Sequence, residues 1–189
     1  LANRAGSRNI YTFSAFLTAA EQSDFLTGAA REISVPWTLW GGMEGLERQV
    51  LRFGSEEAFG YEVEFPIVCL VITPVNAKFA DAWTHRDVLG AIMHLGVERE
   101  VLGDILIRDG TAYVFCLEKI ADYLKDHLTS IRRTTVSCRV EAQCPEAAEQ
   151  RFEPVELILH APRCDGVIAK LYHLSRGKSA DLFSAGRVF

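Results

Sequence analysis

The sequence predicts an α+β chain in three parts: a small N-terminal α/β unit, a plait-like sandwich with helices on one sheet face, and a closing pair of short helices. Three observations predict it. Helical and extended hydrophobic spacings alternate along most of the 189 residues. Asp109-Gly110 separates two runs rich in strand-forming residues, a strong hairpin signal. The polar stretch from Cys144 to Glu153, which holds Pro145, reads as a linker. The parts are expected at residues 1–80, 81–153 and 154–189.

In the first part, Ser14 caps an expected helix over 14–33, with Phe16, Leu17, Ala20, Leu26, Ala30 and Ile33 at helical spacing. Val35 to Trp40 reads as extended, and Gly41-Gly42 turns the chain. Met43 to Phe53 then reads as a second helix, with Leu46, Val50 and Phe53 on one face. Residues 54–60 have loop chemistry, and Glu62 to Thr73 gives the strongest strand signal, ending at Pro74.

In the second part, Thr84-His85-Arg86-Asp87 has capping-box form with Asp in place of Glu or Gln. Val88, Leu89, Ile92 and Leu95 continue as a helix to Gly96, and a helical turn follows over 97–102. Asp104–Arg108 and Thr111–Leu117 are the hairpin strands, Glu118–Leu128 a helix, and Thr134–Val140 a strand. A helix, two strands, a helix and a strand suggest a ferredoxin-like sandwich. In the third part, Val155–His160 reads as a short strand, and Asp165–Leu174 and Gly177–Ala185 as two helices.

Composition excludes several classes. With 49% hydrophobic and 24% charged residues the chain is neither disordered nor of low complexity. Its longest apolar run, Ile67 to Ile72, is far short of the about 20 residues of a membrane span. No signal segment is recognised, so a cytoplasmic protein is expected. The net charge of −5 argues against a uniformly basic nucleic-acid binder. Its distribution is uneven, however. Residues 1–162 carry 15 Lys+Arg against 23 Asp+Glu, whereas residues 163–189 carry five against two. A basic end on an acidic body suits a localised polyanion contact.

The five cysteines include no Cys-x-x-Cys pair, which suits neither a disulfide framework nor a zinc site. Cys69, Cys116 and Cys138 lie in apolar stretches and read as buried thiols. His85 and His94 form no His-x-x-x-His pair, so no metal is expected. Nucleophile elbow, phosphate loop and dinucleotide fingerprint are all missing, and no cofactor or catalytic residue is nominated. Gly41-Gly42 before Glu44-Gly45 reads as a tight turn rather than an anion nest. The basic end is more informative. Arg176, Ala180, Phe183 and Arg187 fall on one helical face, and Arg163 and Lys170 on a face of the preceding helix. Two short helices with Arg, Lys and Ser at their junction offer a compact phosphate-binding surface.

These residues also carry a resemblance. Arg163-Cys164-Asp165, Leu174-Ser175-Arg176-Gly177-Lys178-Ser179 and Leu182-Phe183-Ser184-Ala185-Gly186-Arg187-Val188 resemble the opening of the S-four RNA-binding domain. Gly41-Gly42-Met43-Glu44-Gly45-Leu46-Glu47-Arg48 and the run from Thr84-His85-Arg86-Asp87 through Glu98-Arg99-Glu100 to Gly103-Asp104-Ile105 resemble the bacterial YlmH-type RNA-binding proteins. In those, an N-terminal region and a plait-like domain precede an S-four domain. Cys164 and Gly177 depart from the S-four pattern, and the chain stops at Phe189 where that family continues, so an incomplete S-four domain is expected.

The resemblance implies a non-enzymatic protein that binds rRNA or tRNA on the large ribosomal subunit, in rescue of stalled nascent chains and with a cell-division link. It assigns RNA contacts to Arg163, Ser175, Arg176, Lys178 and Arg187, and makes Asp165 a brace for the helix pair. Arg86, Arg99, Arg132 and Arg133 form a secondary basic set. Arg86, Asp87, Arg99 and Asp104 match the family pattern without assigned chemistry, and caps or buried polar groups are expected of them. Two rivals stand beside this reading: an RNA-modifying enzyme carrying an S-four domain, and a protein-interaction module in cell division.

Overall fold

The computed structural model describes residues 1–148, 155–159, 161 and 163–185. The chain divides into two compact units, residues 1–150 and 151–189.

The first unit holds two antiparallel sheets. Its elements are α1 (Ala2–Arg8), β1 (Thr12–Leu17), α2 (Ala19–Thr27), β2 (Trp37–Trp40), β3 (Gln49–Phe53), α3 (Glu56–Phe59), β4 (Ile67–Pro74), α4 (His85–Met93), β5 (Leu102–Arg108), β6 (Thr111–Leu117), α5 (Glu118–His127), β7 (Ser130–Ile131) and β8 (Thr134–Glu141). The smaller sheet has the order β1-β3-β2 and the larger β5-β6-β4-β8-β7.

Two expected helices are replaced here. Residues 14–33 are not one helix: Thr12–Leu17 form β1, and α2 begins after Thr18. Thr18, rather than Ser14, is the cap; its hydroxyl accepts the Glu21 amide while the Glu21 carboxylate accepts the Thr18 amide. A β-bulge explains the misleading pattern. Phe13 faces Arg52 and Phe16 faces Val50, so three steps on β1 oppose two on β3. The extra residue brings positions three apart to one face, which imitates helical spacing. Both phenylalanines pack on the main core.

Residues 43–53 are likewise a turn followed by β3, not a helix. This strand is buried on both sides, with Val50 in the main core and Leu51 and Phe53 in a second one. A strand covered on both faces lacks the alternation that would reveal it. The second core joins Ala5, Leu51 and Phe53 to Phe25, Ile33, Val35, Trp37 and Leu39, so it fixes α1 and α2 on the smaller sheet. Residues 56–59, expected as loop, form the single turn α3 capped by Ser55.

The larger sheet fits the sandwich expectation once β4 is included. In chain order β4, α4, β5, β6, α5 and β8 make a βαββαβ pattern, and the order β5-β6-β4-β8 is ferredoxin-like. The division expected at residue 80 therefore does not follow the sheet, whose central strand ends at Pro74. The Thr84 capping box forms as read: the Thr84 hydroxyl accepts the Asp87 amide, and the Asp87 carboxylate accepts the Thr84 amide and hydroxyl. Asp109 (φ 46°) and Gly110 (φ 74°) close the β5–β6 hairpin with two left-handed residues, as its turn type requires.

Register sorts the side chains of this sheet. Leu70 and Ile72 pair with Val114 and Ala112 and face the helices, where Val88, Ile92, Ala121 and Leu124 are buried. Ile67, Cys69 and Val71 pair with Leu117, Phe115 and Tyr113 on the opposite face. In single-strand RNA readers of this architecture, that face carries the aromatic residues on which bases stack. Here it is closed, with Tyr113 6% and Phe115 1% exposed. Phe16, Leu46 and Met43 pack over it, together with Cys144, whose sulfur lies 3.5 Å from that of Met43. Two glycines permit the approach. A Cβ on Gly42 (φ 101°) would meet the Phe115 ring at 2.7 Å, and one on Gly103 the Phe16 ring at 2.7 Å.

Residues 144–148 are thus less a free linker than expected, since Cys144 packs on the core and Ala148 is buried. In the second unit, α6 (Cys164–Leu171) and α7 (Arg176–Ser184) form close to the expected positions. Residues 155–159, expected in a strand, make none; His160 lies outside the described residues.

Candidate nucleic-acid interface

Serine chemistry starts α7. The Ser175 side chain accepts the Lys178 amide at 3.3 Å, a standard N-cap contact. Arg163 precedes the first turn of α6 and holds Asp165, Nε to Oδ1 at 3.0 Å and Nη2 to Oδ2 at 3.4 Å. Arg176 Nε approaches the same carboxylate at 3.8 Å. Buried Ser179 donates its hydroxyl to the Asp165 carbonyl at 2.7 Å, which locks the first turns of the two helices together.

Asp165 therefore braces the pair. Hydrogen bonds from Arg163 hold its carboxyl below the usual carboxylate range despite some burial. The two arginine side chains around it remain 67% and 71% exposed. Two helix N-termini, two exposed guanidiniums and Lys178 converge, an arrangement suited to phosphate oxygens. Lys170 does not join this group; its amine donates to the Ile158 carbonyl at 2.6 Å. Arg187 lies outside the described residues.

The secondary basic set separates into three places. Arg86 and Arg132 line one cleft of about 470 Å³ between α4, the end of α5 and β7. His94, His127, Thr129 and Ser130 line it too, and none of these was singled out for binding in the sequence. The available signal was spacing: Arg86, Gly90 and His94 recur every four residues on one helical face. Arg133 is 87% exposed and approaches Asp81 at 3.5 Å. Arg99 belongs to the fold: its guanidinium donates to the carbonyls of Leu102 (2.7 Å) and Gly103 (3.1 Å). Burial and the neighbouring Arg48 push Arg99 below the usual arginine pKa.

The two blocks that carried the family resemblance meet at this point. Asp104 accepts the amides of Glu47 and Arg48, and Arg48 donates to the carbonyls of Leu102 and Phe16. Asp87 and Asp104 are thus a cap and a backbone staple. Among the described residues, no group of three or more His, Cys, Asp or Glu side chains is arranged to hold a metal ion.

Residues 61–143 match the family described as "Putative RNA-binding domain in YlmH". This segment is a YlmH-type domain. The YlmH-type match begins ahead of β4, which agrees with the sheet rather than with a division at residue 80. The chain is also 25% identical over 177 residues to "Ribosome-associated protein quality control protein P2" of Bacillus subtilis (strain 168), across 92% of this chain. It spans 66% of that relative's length. Among solved structures, "Cell division protein ylmH from Streptococcus pneumoniae" is similar with a TM-score of 0.57 and 20% identity, over 74% of this chain and 83% of that one. At that identity the likeness concerns the fold. No helix among the described residues is long and apolar enough to cross a membrane.

Proposed function

We propose that this protein binds RNA without chemically altering it, in the cytoplasm and in association with the ribosome. The observation that carries the reading is the match of residues 61–143 to a YlmH-type RNA-binding domain. The relative named for ribosome-associated quality control supports the setting, and with it a role beside stalled nascent chains on the large subunit, through rRNA or tRNA. The structural neighbour named for cell division supports a link to that process.

Phosphate contacts are assigned to Arg163, Arg176 and Lys178, with Ser175 setting the start of α7 and Arg187 extending the same basic end. We read α6 and α7 as the opening of an S-four domain. Backbone contacts of this kind supply affinity without sequence information, so selection rests on RNA shape.

The test is a salt-titrated binding assay of the chain against isolated large ribosomal subunits and free tRNA. Arg176→Ala is expected to lower the slope of log affinity against log salt by about 0.7–0.9, the loss of one phosphate contact. An unchanged slope removes Arg176 from the interface, and failure of the parent chain to bind either RNA removes the function.

A further inference from the structure

The sheet face on which plait domains stack RNA bases is filled by the protein's own N-terminal segment. Any RNA contact of this unit must therefore lie elsewhere, and the cleft beside α4 has the chemistry for one. Arg86, Arg132, His94 and His127 line it with a single carboxylate, Asp87. Asp87 is already engaged by the Thr84 amide and hydroxyl at 2.8 and 2.7 Å and lies 3.7 Å from Arg132. The hydroxyls of Thr129 and Ser130 add donors, and Ala91, Leu95 and Leu128 add apolar wall. In a unit whose overall charge is strongly negative, this is a local concentration of cations. The volume of about 470 Å³ falls within the range of about 300–1,000 Å³ of small-ligand sites.

Two further features single out the cleft. The first is an aromatic stack. His127 lies on Tyr123 with ring centroids 4.2 Å apart and planes 25° from parallel. Tyr123 is held by its hydroxyl donating to the Leu95 carbonyl at 3.1 Å. His127 Nδ1 lies 2.8 Å from the Tyr123 carbonyl, which can only accept, so Nδ1 carries the hydrogen. The second is backbone strain. Arg132 is the first central residue of the two-residue turn between β7 and β8, and its φ of 54° favours glycine. A guanidinium thus stands where the chain geometry asks for no side chain. Strain of this kind gathers at sites of function.

We propose that this cleft seats one nucleotide of the bound RNA, its phosphate between Arg86 and Arg132 and its base against the His127 ring. The inference rests on the RNA-binding reading above and adds a second contact remote in sequence from Arg163 and Arg176. Base stacking on an aromatic face together with paired guanidiniums is the usual chemistry of sequence-tolerant RNA contact.

The experiment compares three forms of the full chain binding unfractionated tRNA across a salt series: the parent, Arg86→Ala with Arg132→Gly, and Arg176→Ala with Lys178→Ala. Glycine is chosen at position 132 because it accepts the turn geometry, so the fold persists and a thermal melt verifies it. The histidine ring resonances of the parent report the cleft directly. The cleft variant is expected to bind several-fold more weakly, with the salt slope lowered by about 1.4–1.8 for two lost phosphate contacts. The His127 resonances are expected to shift on adding tRNA to the parent and not to the cleft variant. Unchanged slope and unshifted resonances, with binding lost only in the Arg176/Lys178 form, overturn the cleft and leave the RNA-binding reading standing. A parent chain that does not bind tRNA at any salt overturns both.

Discussion

Asp104 accepts the backbone amide of Arg48 across 56 intervening positions in the numbering, and that of Glu47 at 2.5 Å beside it. One carboxylate thereby fixes the turn that covers Phe115 to the start of the hairpin. Asp104→Ala leaves both amides without their acceptor, and stability is expected to fall by about 1–3 kcal/mol. Asp104→Asn keeps one acceptor oxygen and is expected to lose less. Urea unfolding midpoints of the three proteins check the order.

Gly42 is expected to tolerate no side chain. Its φ of 101° is unfavourable for any L-residue, and a Cβ would stand 2.7 Å from the Phe115 ring and 2.9 Å from Ile67. Gly42→Ala is expected to cost about 2 kcal/mol or more through overpacking and strain. A thermal melt equal to that of the parent would show that the covering segment shifts aside freely.

Arg132→Gly is expected to leave stability nearly unchanged. Relief of the left-handed strain, about 1 kcal/mol, offsets the greater entropy that glycine loses on folding, about 0.5–1 kcal/mol. The ion pair with Asp87 lies at 3.7 Å with Arg132 52% exposed, and it adds little. Chemical denaturation checks this, and a large loss would mean that Arg132 holds the turn.

Acid is expected to loosen the α6–α7 pair. The folded Asp165 carboxyl titrates below its ordinary value because Arg163 hydrogen-bonds it, whereas in the unfolded chain it returns to that value. Its contribution is therefore complete above the ordinary carboxylate pKa and disappears as pH falls through the lower, folded one. Amide resonances of α7 followed from neutral to strongly acidic pH measure this. Asp165→Asn is expected to abolish that pH dependence and to weaken the pair at neutral pH.

Thiol labelling is expected to divide the cysteines sharply. Cys164 is exposed at the start of α6. Burial pushes Cys138 up to about 11 and Cys116 up to about 12, and raises Cys69 as well. Peptide mapping after brief labelling at mildly alkaline pH should find Cys164 modified and Cys69 and Cys116 protected until the chain is denatured.

The plait was readable because its signals are local. Thr84 and Asp87 meet within one turn, Asp109-Gly110 names its own hairpin, and α5 shows an uninterrupted helical face. The N-terminal region was not, because its pattern is set by distant partners. Phe13 and Phe16 share a face only through the bulge opposite β3, and Val50 and Leu51 point into different cores. Of the phosphate-binding candidates, Arg163 and Arg176 were legible from one stretch of sequence. The cleft was not, since Arg86, His127 and Arg132 come together only when α4 packs beside β7.

The segment that closes the plait is synthesised before the sheet it closes. Phe16, Leu46 and Val50 have no surface to settle on until residues 102–117 exist, and those strands in turn lack their cover without the earlier segment. Ordering of the two sheets is consequently a single, late event that waits for closure of a long loop, which favours slow folding. It also means that the 61–143 segment is not a self-sufficient piece. Cut free of residues 1–60, it would carry all five strands yet present Tyr113, Phe115 and Leu117 to water, a surface that drives self-association.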